Sequence, residues 1–88
     1  MALLIKKFGG TSVGDLQKIK NIAKHICISR EAGNDIVIVV SAMGNTTDKL
    51  TQMAQSISNN PHKRELDMLL STGEQITIAL LSIALNEY

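Results

Sequence analysis

Lys6 and Lys7 close a short apolar run and are followed at once by Phe8, Gly9 and Gly10. A cation at a strand end beside glycines is one way to build an anion site. With no Cβ, glycine lets backbone N–H groups approach phosphate oxygens closely. An ammonium extended across such a loop neutralises the charge those oxygens carry. The stretch is not a P-loop, because G-x-x-x-x-G-K-[ST] is absent and the lysine precedes the glycines. It is not a dinucleotide fingerprint either, because G-x-G-x-x-G is absent. The same residues also fit a tight strand-to-helix turn flanked by two solvated lysines.

Two further segments carry chemistry-bearing residues. Ser41-Ala42-Met43-Gly44-Asn45-Thr46 is a small polar loop after a second apolar run. In open α/β sheets, ligands bind beyond the carboxyl ends of strands, where loops lead into helix N-termini. Arg64 to Gln75 holds Glu74 beside Gly73, just before a strongly apolar stretch. A carboxylate there can orient a strand-end lysine or bind an amino group. Ser71-x-x-Glu74 and Thr72-x-x-Gln75 also fit capping boxes, in which the side chain only closes a helix start.

The elements that must position these residues follow from the pattern of apolar positions. Leu3, Leu4 and Ile5 predict a buried strand over Ala2 to Phe8. Gly9 to Gly14 form a loop, and Asp15 is a helix N-cap. Leu16, Ile19, Ile22, Ala23, Ile26 and Cys27 recur at the spacing of one buried helix stripe, with Gly33 as the C-terminal glycine. Asp35 to Val40 carries five consecutive β-branched apolar residues without alternation, which predicts a strand covered on both faces in a parallel sheet. Thr47 or Asp48 then caps a helix carrying Leu50, Met53, Ala54 and Ile57, which ends at Asn59-Asn60-Pro61. A third helix starts near Lys63, Ser71-Thr72-Gly73 interrupts it, and a fourth is apolar nearly all round from Ile76 to Leu85. That stretch is too short to span a bilayer. The expected order is β-α-β-α-α-α, an α/β arrangement.

The totals set limits on function. The chain has 88 residues, net charge +1, 44% hydrophobic and 19% charged residues, and one each of Phe and Tyr. So balanced a charge with so few aromatics argues against a nucleic-acid partner or an anionic-membrane surface. Cys27 is the sole cysteine, which excludes an internal disulfide and fits a reducing, cytoplasmic compartment. The start MALLIKK has its charges after its apolar run and reads as no secretory signal. His25 and Cys27 are two apart on a helix and complete no metal site. His25 is expected to be partly exposed and Cys27 core. His62 is a loop residue, and Met43, Met53 and Met68 are core fillers. Two parallel strands and a last helix apolar on every side predict the N-terminal part of a larger domain.

Three segments together resemble one family, in order and spacing over essentially the whole chain. They are Lys7-Phe8-Gly9-Gly10-Thr11-Ser12-Val13, Val40 to Asp48, and Arg64-Glu65-Leu66-Asp67-Met68-Leu69-Leu70-Ser71-Thr72-Gly73-Glu74. The resemblance is to the aspartate kinases (aspartokinases), of the monofunctional bacterial type, within the amino acid kinases. It implies the N-terminal part of a three-layer αβα sandwich around a mostly parallel sheet. It implies transfer of the ATP γ-phosphoryl group to the side-chain carboxylate of L-aspartate, with Mg2+, as the first step toward lysine, threonine and methionine.

By position, the resemblance implies that Lys7, Phe8, Gly9 and Gly10 belong to the ATP-binding segment, with Lys7 on the phosphates, and that Ser41 lies on the nucleotide side. It implies that Thr47 and Glu74 hold aspartate. The family's later nucleotide-binding segment and its regulatory domains are not in these 88 residues, so the chain on its own is expected to be inactive and to associate through its incomplete sheet or as a homo-oligomer. Two other readings compete. One is another amino acid kinase, acting on glutamate, acetylglutamate, carbamate or a nucleoside monophosphate. The other is a non-catalytic piece that only associates with other chains.

Overall fold

The computed structural model describes residues 2–88. It contains strand β1 (Leu3–Phe8), helix α1 (Leu16–Glu31), strand β2 (Asp35–Val40), helix α2 (Thr46–Ile57) and helix α3 (Lys63–Glu87). The strands pair in parallel, with Leu3 beside Asp35 and Phe8 beside Val40. The connection through α1 makes a βαβ unit.

Helix α1 begins where the sequence places it. The Asp15 side chain accepts the Lys18 backbone N–H at 2.8 Å. Gly33, at φ +95°, follows the C-cap Ala32 and lets the chain turn back to the sheet. Ile19, Ile22, Ala23 and Ile26 of α1 are buried against Phe8, Ile36, Ile38 and Val40 on one sheet face, with Leu81 of α3 beside them. Val13 belongs to the same cluster and is fully buried. The glycine-rich loop is therefore anchored in the core near its C-terminal end.

The other sheet face is open. Leu3, Ile5, Val37 and Val39 are 67%, 72%, 49% and 46% exposed. The expectation that Asp35 to Val40 is covered on both faces is thus met on one face within this chain. The run is apolar on both sides because both sides suit burial, but these residues supply one helical layer. Cys27 is half-buried at the edge of the core rather than in it, and His25 is exposed.

Two corrections concern the helices. First, α2 starts at Thr46 with Asn45 as its cap, ahead of the expected Thr47 or Asp48. Second, Ser71-Thr72-Gly73 does not interrupt anything: α3 is one helix of 25 residues, so the predicted fourth helix and the capping boxes at Glu74 do not exist. The hydroxyls that suggested a break are absorbed within the helix. Ser71 Oγ donates to the Met68 carbonyl at 2.7 Å and Thr72 Oγ1 to the Leu69 carbonyl at 2.6 Å. Bonded to the preceding turn, they no longer compete for the backbone. Buried Thr77 donates to the Gly73 carbonyl in the same way, at 3.3 Å.

Gly73 has a packing reason instead. A Cβ there would lie 3.1 Å from Ala42 Cβ, 3.2 Å from Thr46 Cγ2 and 3.4 Å from Leu50 Cδ1. The glycine lets α3 approach the start of α2. Because α3 runs unbroken, it is also long and apolar enough to cross a bilayer by length and composition, with a mean hydropathy of 1.5 over its most apolar 18 residues. The expectation from Ile76 to Leu85 alone counted too short a segment. In this structure α3 packs on α1, α2 and β2.

Gly73→Val should destabilise the fold by at least ~2 kcal/mol, because its branched carbons have no space at that contact. Gly73→Ala sets the same Cβ contact against ~1 kcal/mol of gained helix propensity and should cost much less. Thermal unfolding of the two variants side by side measures the difference. Equal midpoints would show that the contact is not tight.

Candidate functional site

The two lysines that open the question are divided by strand alternation, since successive side chains point to opposite faces. Lys6 lies on the helix-covered face. Its Nζ is 2.9 Å from His25 Nε2 and donates to Ser29 Oγ at 3.1 Å. An ammonium has only donors, so His25 accepts at Nε2 and carries its ring proton on Nδ1. Lys6 thus ties β1 to α1. Lys7 is exposed on the open face and has no hydrogen bond or ion pair among the described residues. It is the lysine available to a ligand.

Beyond the strands, the Gly9–Gly14 loop is folded by its own backbone. The Gly9 carbonyl accepts from Ser12 and Val13 at 3.1 and 3.3 Å, and the Thr11 carbonyl accepts from Gly14 at 3.2 Å. The N–H groups of Gly10 and Thr11 reach no backbone acceptor among the described residues. The two glycines do different jobs. A Cβ on Gly9 would meet nothing within 4 Å, so that side is open to a ligand. A Cβ on Gly10 would lie 3.1 Å from the Ala42 carbonyl oxygen and 3.2 Å from that of Gly44. Gly10 is therefore needed for contact between the loops, which the Gly44 N–H seals on the Gly10 carbonyl at 3.0 Å. Gly44 itself turns at φ +49°.

Ser41 continues the ladder, its N–H donating to the Phe8 carbonyl at 3.2 Å. That bond places it directly beside the start of the glycine loop. From Ala42 and Thr46 the contact passes to Gly73, so three distant segments of sequence converge: Gly9–Gly14, Ser41–Thr46 and the middle of α3. Thr47 is exposed in the first turn of α2, and Glu74 is exposed next to Gly73. Glu74 forms no ion pair with Lys7 or any other residue among those described.

The two helix N-termini differ in what they offer. At α1 the Asp15 carboxylate already occupies the dipole's positive end. At α2 no side-chain cap covers the first N–H groups. An anion is therefore better received at α2, beside Thr47, than at α1. No group of three or more His, Cys, Asp or Glu side chains that could hold a metal is present among the described residues.

Residues 2–88 match the model of the amino acid kinase family. The chain belongs to the amino acid kinase family. It is 58% identical to an aspartokinase of Bacillus sp. strain MGA3 over 87 residues, covering 99% of this chain and 21% of that protein. It is 52% identical to an aspartokinase of Thermus thermophilus over 85 residues, covering 97% of this chain and 21% of that one. A crystal structure of aspartate kinase from Synechocystis superposes with a TM-score of 0.95 at 58% identity, over 97% of this chain and 14% of that chain. The α/β fold expected from sequence is thus the amino acid kinase fold. The chain spans about a fifth of the length of these curated relatives.

Three features of this family member escaped sequence reasoning. Val13, placed in the loop by its neighbours, is the loop's buried anchor. Gly44 is a positive-φ turn that carries the contact between loops. Gly73 is a packing glycine rather than a breaker. The local sequence around the last, with Ser71 and Thr72 before it, carried no signal of that role.

Lys6→Met should lower stability by ~0.5–1.5 kcal/mol through loss of its bonds to α1. Lys7→Met should leave stability unchanged, because Lys7 bonds to nothing in the chain. Thermal denaturation of both variants checks this, and equal losses would contradict the division between them.

Proposed function

We propose that these residues form the N-terminal part of the catalytic domain of an aspartokinase, which phosphorylates the side-chain carboxylate of L-aspartate with ATP to give 4-phospho-L-aspartate. One observation carries the reading: both strand-end loops and the Glu74 turn of α3 converge where Gly10, Gly44 and Gly73 allow it. The identity to aspartokinases across nearly the whole chain supports the choice of substrate over other amino acid kinases.

The chemistry asks for positioning and charge neutralisation more than for covalent catalysis. The attacking group is a carboxylate, ionised near neutral pH, so no general base is required. Two anions must instead be brought together. Lys7 neutralises charge on the phosphate oxygens, aided by N–H groups of the Phe8–Gly10 segment and its continuation at Thr11, with Ser41 on the nucleotide side. Donors fixed before the reaction are worth more than mobile ones, because they need no reorganisation. The uncapped start of α2 and the Thr47 hydroxyl receive a carboxylate of aspartate. Glu74, without an internal partner, takes its ammonium group. Mg2+, when bound, neutralises phosphate charge. Mg2+ is ordinarily held by substrate phosphates with one or two carboxylates, so it would enter with the nucleotide.

The open sheet face and the exposed Ile76, Ile78 and Ile83 of α3 are read as surfaces that the remainder of the domain, or another copy in a homo-oligomer, covers. An enzyme of this kind acts in the cytoplasm, where its substrates are made.

The test is a chimera. The 87 matched residues of the Geobacillus stearothermophilus aspartokinase, 55% identical, are replaced by this chain, and aspartyl phosphate is trapped as the hydroxamate. The chimera should be active, and the 88-residue chain alone should not. In the chimera, Lys7→Ala should cost at least ~3 kcal/mol in kcat/KM, comparable to losing a preorganised donor. Glu74→Gln should lower kcat/KM for aspartate by orders of magnitude while leaving KM for ATP nearly unchanged. An active chimera indifferent to both changes would defeat the assignment.

A further inference from the structure

We propose that Lys18 is a positioning residue of the phosphate loop, holding the Thr11 carbonyl away from the ligand side so that the neighbouring N–H groups stay presented to phosphate. The proposal rests on the reading of Gly9–Gly14 as that loop. Lys18 lies in the first turn of α1, and its Nζ crosses back to donate to the Thr11 carbonyl oxygen at 3.1 Å. The same oxygen accepts the Gly14 N–H at 3.2 Å, so it is held by two donors, one of them charged. Gly14 makes the meeting possible: a Cβ there would lie 3.1 Å from that oxygen and 3.6 Å from Lys18 Nζ.

Lys18 has no carboxylate partner. The nearest acid in sequence, Asp15, accepts from the Lys18 backbone N–H rather than from its ammonium. The ion pairs among the described residues join Arg30 to Asp35 and His62 to Glu65. Its charge is thus directed onto the loop. A carbonyl facing a phosphate would repel it, whereas one fixed toward α1 leaves the N–H groups of Gly10 and Thr11, which reach no backbone acceptor, to receive it. Lys18 therefore does for the loop's outer edge what buried Val13 does for its inner one.

The test uses the active chimera with three variants. Lys18→Met removes the donor but keeps the aliphatic stem. Lys18→Arg keeps a charged donor. Lys7→Ala is the control for the loop itself. Lys18→Met should raise KM for MgATP about three- to tenfold, the scale of one charge-assisted hydrogen bond at the surface. KM for aspartate should stay unchanged, the thermal midpoint should fall no further than in Lys6→Met, and Lys18→Arg should recover most of the lost affinity. The proposal falls if Lys18→Met leaves KM for MgATP unaltered while Lys7→Ala changes it. It falls equally if Met and Arg impair the enzyme alike with a loss of thermal stability, which would mark a structural role. If Lys7→Ala also leaves nucleotide affinity untouched, the phosphate-loop reading fails and this inference with it.

Discussion

Close approach at positions that carry no Cβ is the constraint on which the rest of this molecule depends. Gly10 sits so close to the carbonyls of Ala42 and Gly44 that any Cβ would crowd them. Gly73, also lacking a Cβ, admits the side chains of Ala42 and Thr46 from the other side. Between them, these contacts draw two loops and a helix onto one spot. The close approach is held by few bonds, chiefly Gly44 N–H to the Gly10 carbonyl. The rigidity comes from what lies behind: Val13 near the end of one loop and Ala42 near the start of the other are buried. A site assembled this way has its donors fixed before any ligand arrives, which suits electrostatic stabilisation.

Charge is divided just as sharply. Of the three lysines near the loop, Lys6 is tied to α1 and Lys18 to a loop carbonyl, and Lys7 alone is without an internal partner. The two helix starts are also unequal, because the Asp15 side chain fills one and the Asn45 side chain makes no cap bond at the other. Two anions can thus be met by different groups on one surface. The surface ion pairs elsewhere, Arg30–Asp35 and His62–Glu65, are solvent-exposed and contribute little.

The helical layer and the sheet form one hydrophobic contact, and the remaining apolar surface is left unburied. Leu3 and Ile5 on the sheet and Ile83 on α3 are each about two-thirds exposed. Apolar area of this kind, spread over one face of a sheet and one side of a long helix, suits packing against further chain. Its placement leaves the convergent loops at the edge of that face, as expected of a site completed by neighbouring structure.

The sequence by itself determined the local elements. The β-branched run at Ile36 to Val40, the helical stripe from Leu16 to Ile26, the Asp15 cap and Gly33 each act through their immediate neighbours, so they can be read in order. It also singled out Lys7, Phe8, Gly9, Gly10, Ser41, Thr47 and Glu74 as candidates, because the motifs that resemble aspartokinases are contiguous. Only the tertiary structure decided what the glycines and hydroxyls of α3 do. Ser71-Thr72-Gly73 has the composition of a break, yet the hydroxyls bond within the helix and Gly73 packs against Ala42 and Thr46, far away in the sequence. The roles of Lys6 and Lys18 were decided there too. A lysine's job depends on which acceptor lies within reach, and His25, Ser29 and the Thr11 carbonyl come into reach only when the chain folds.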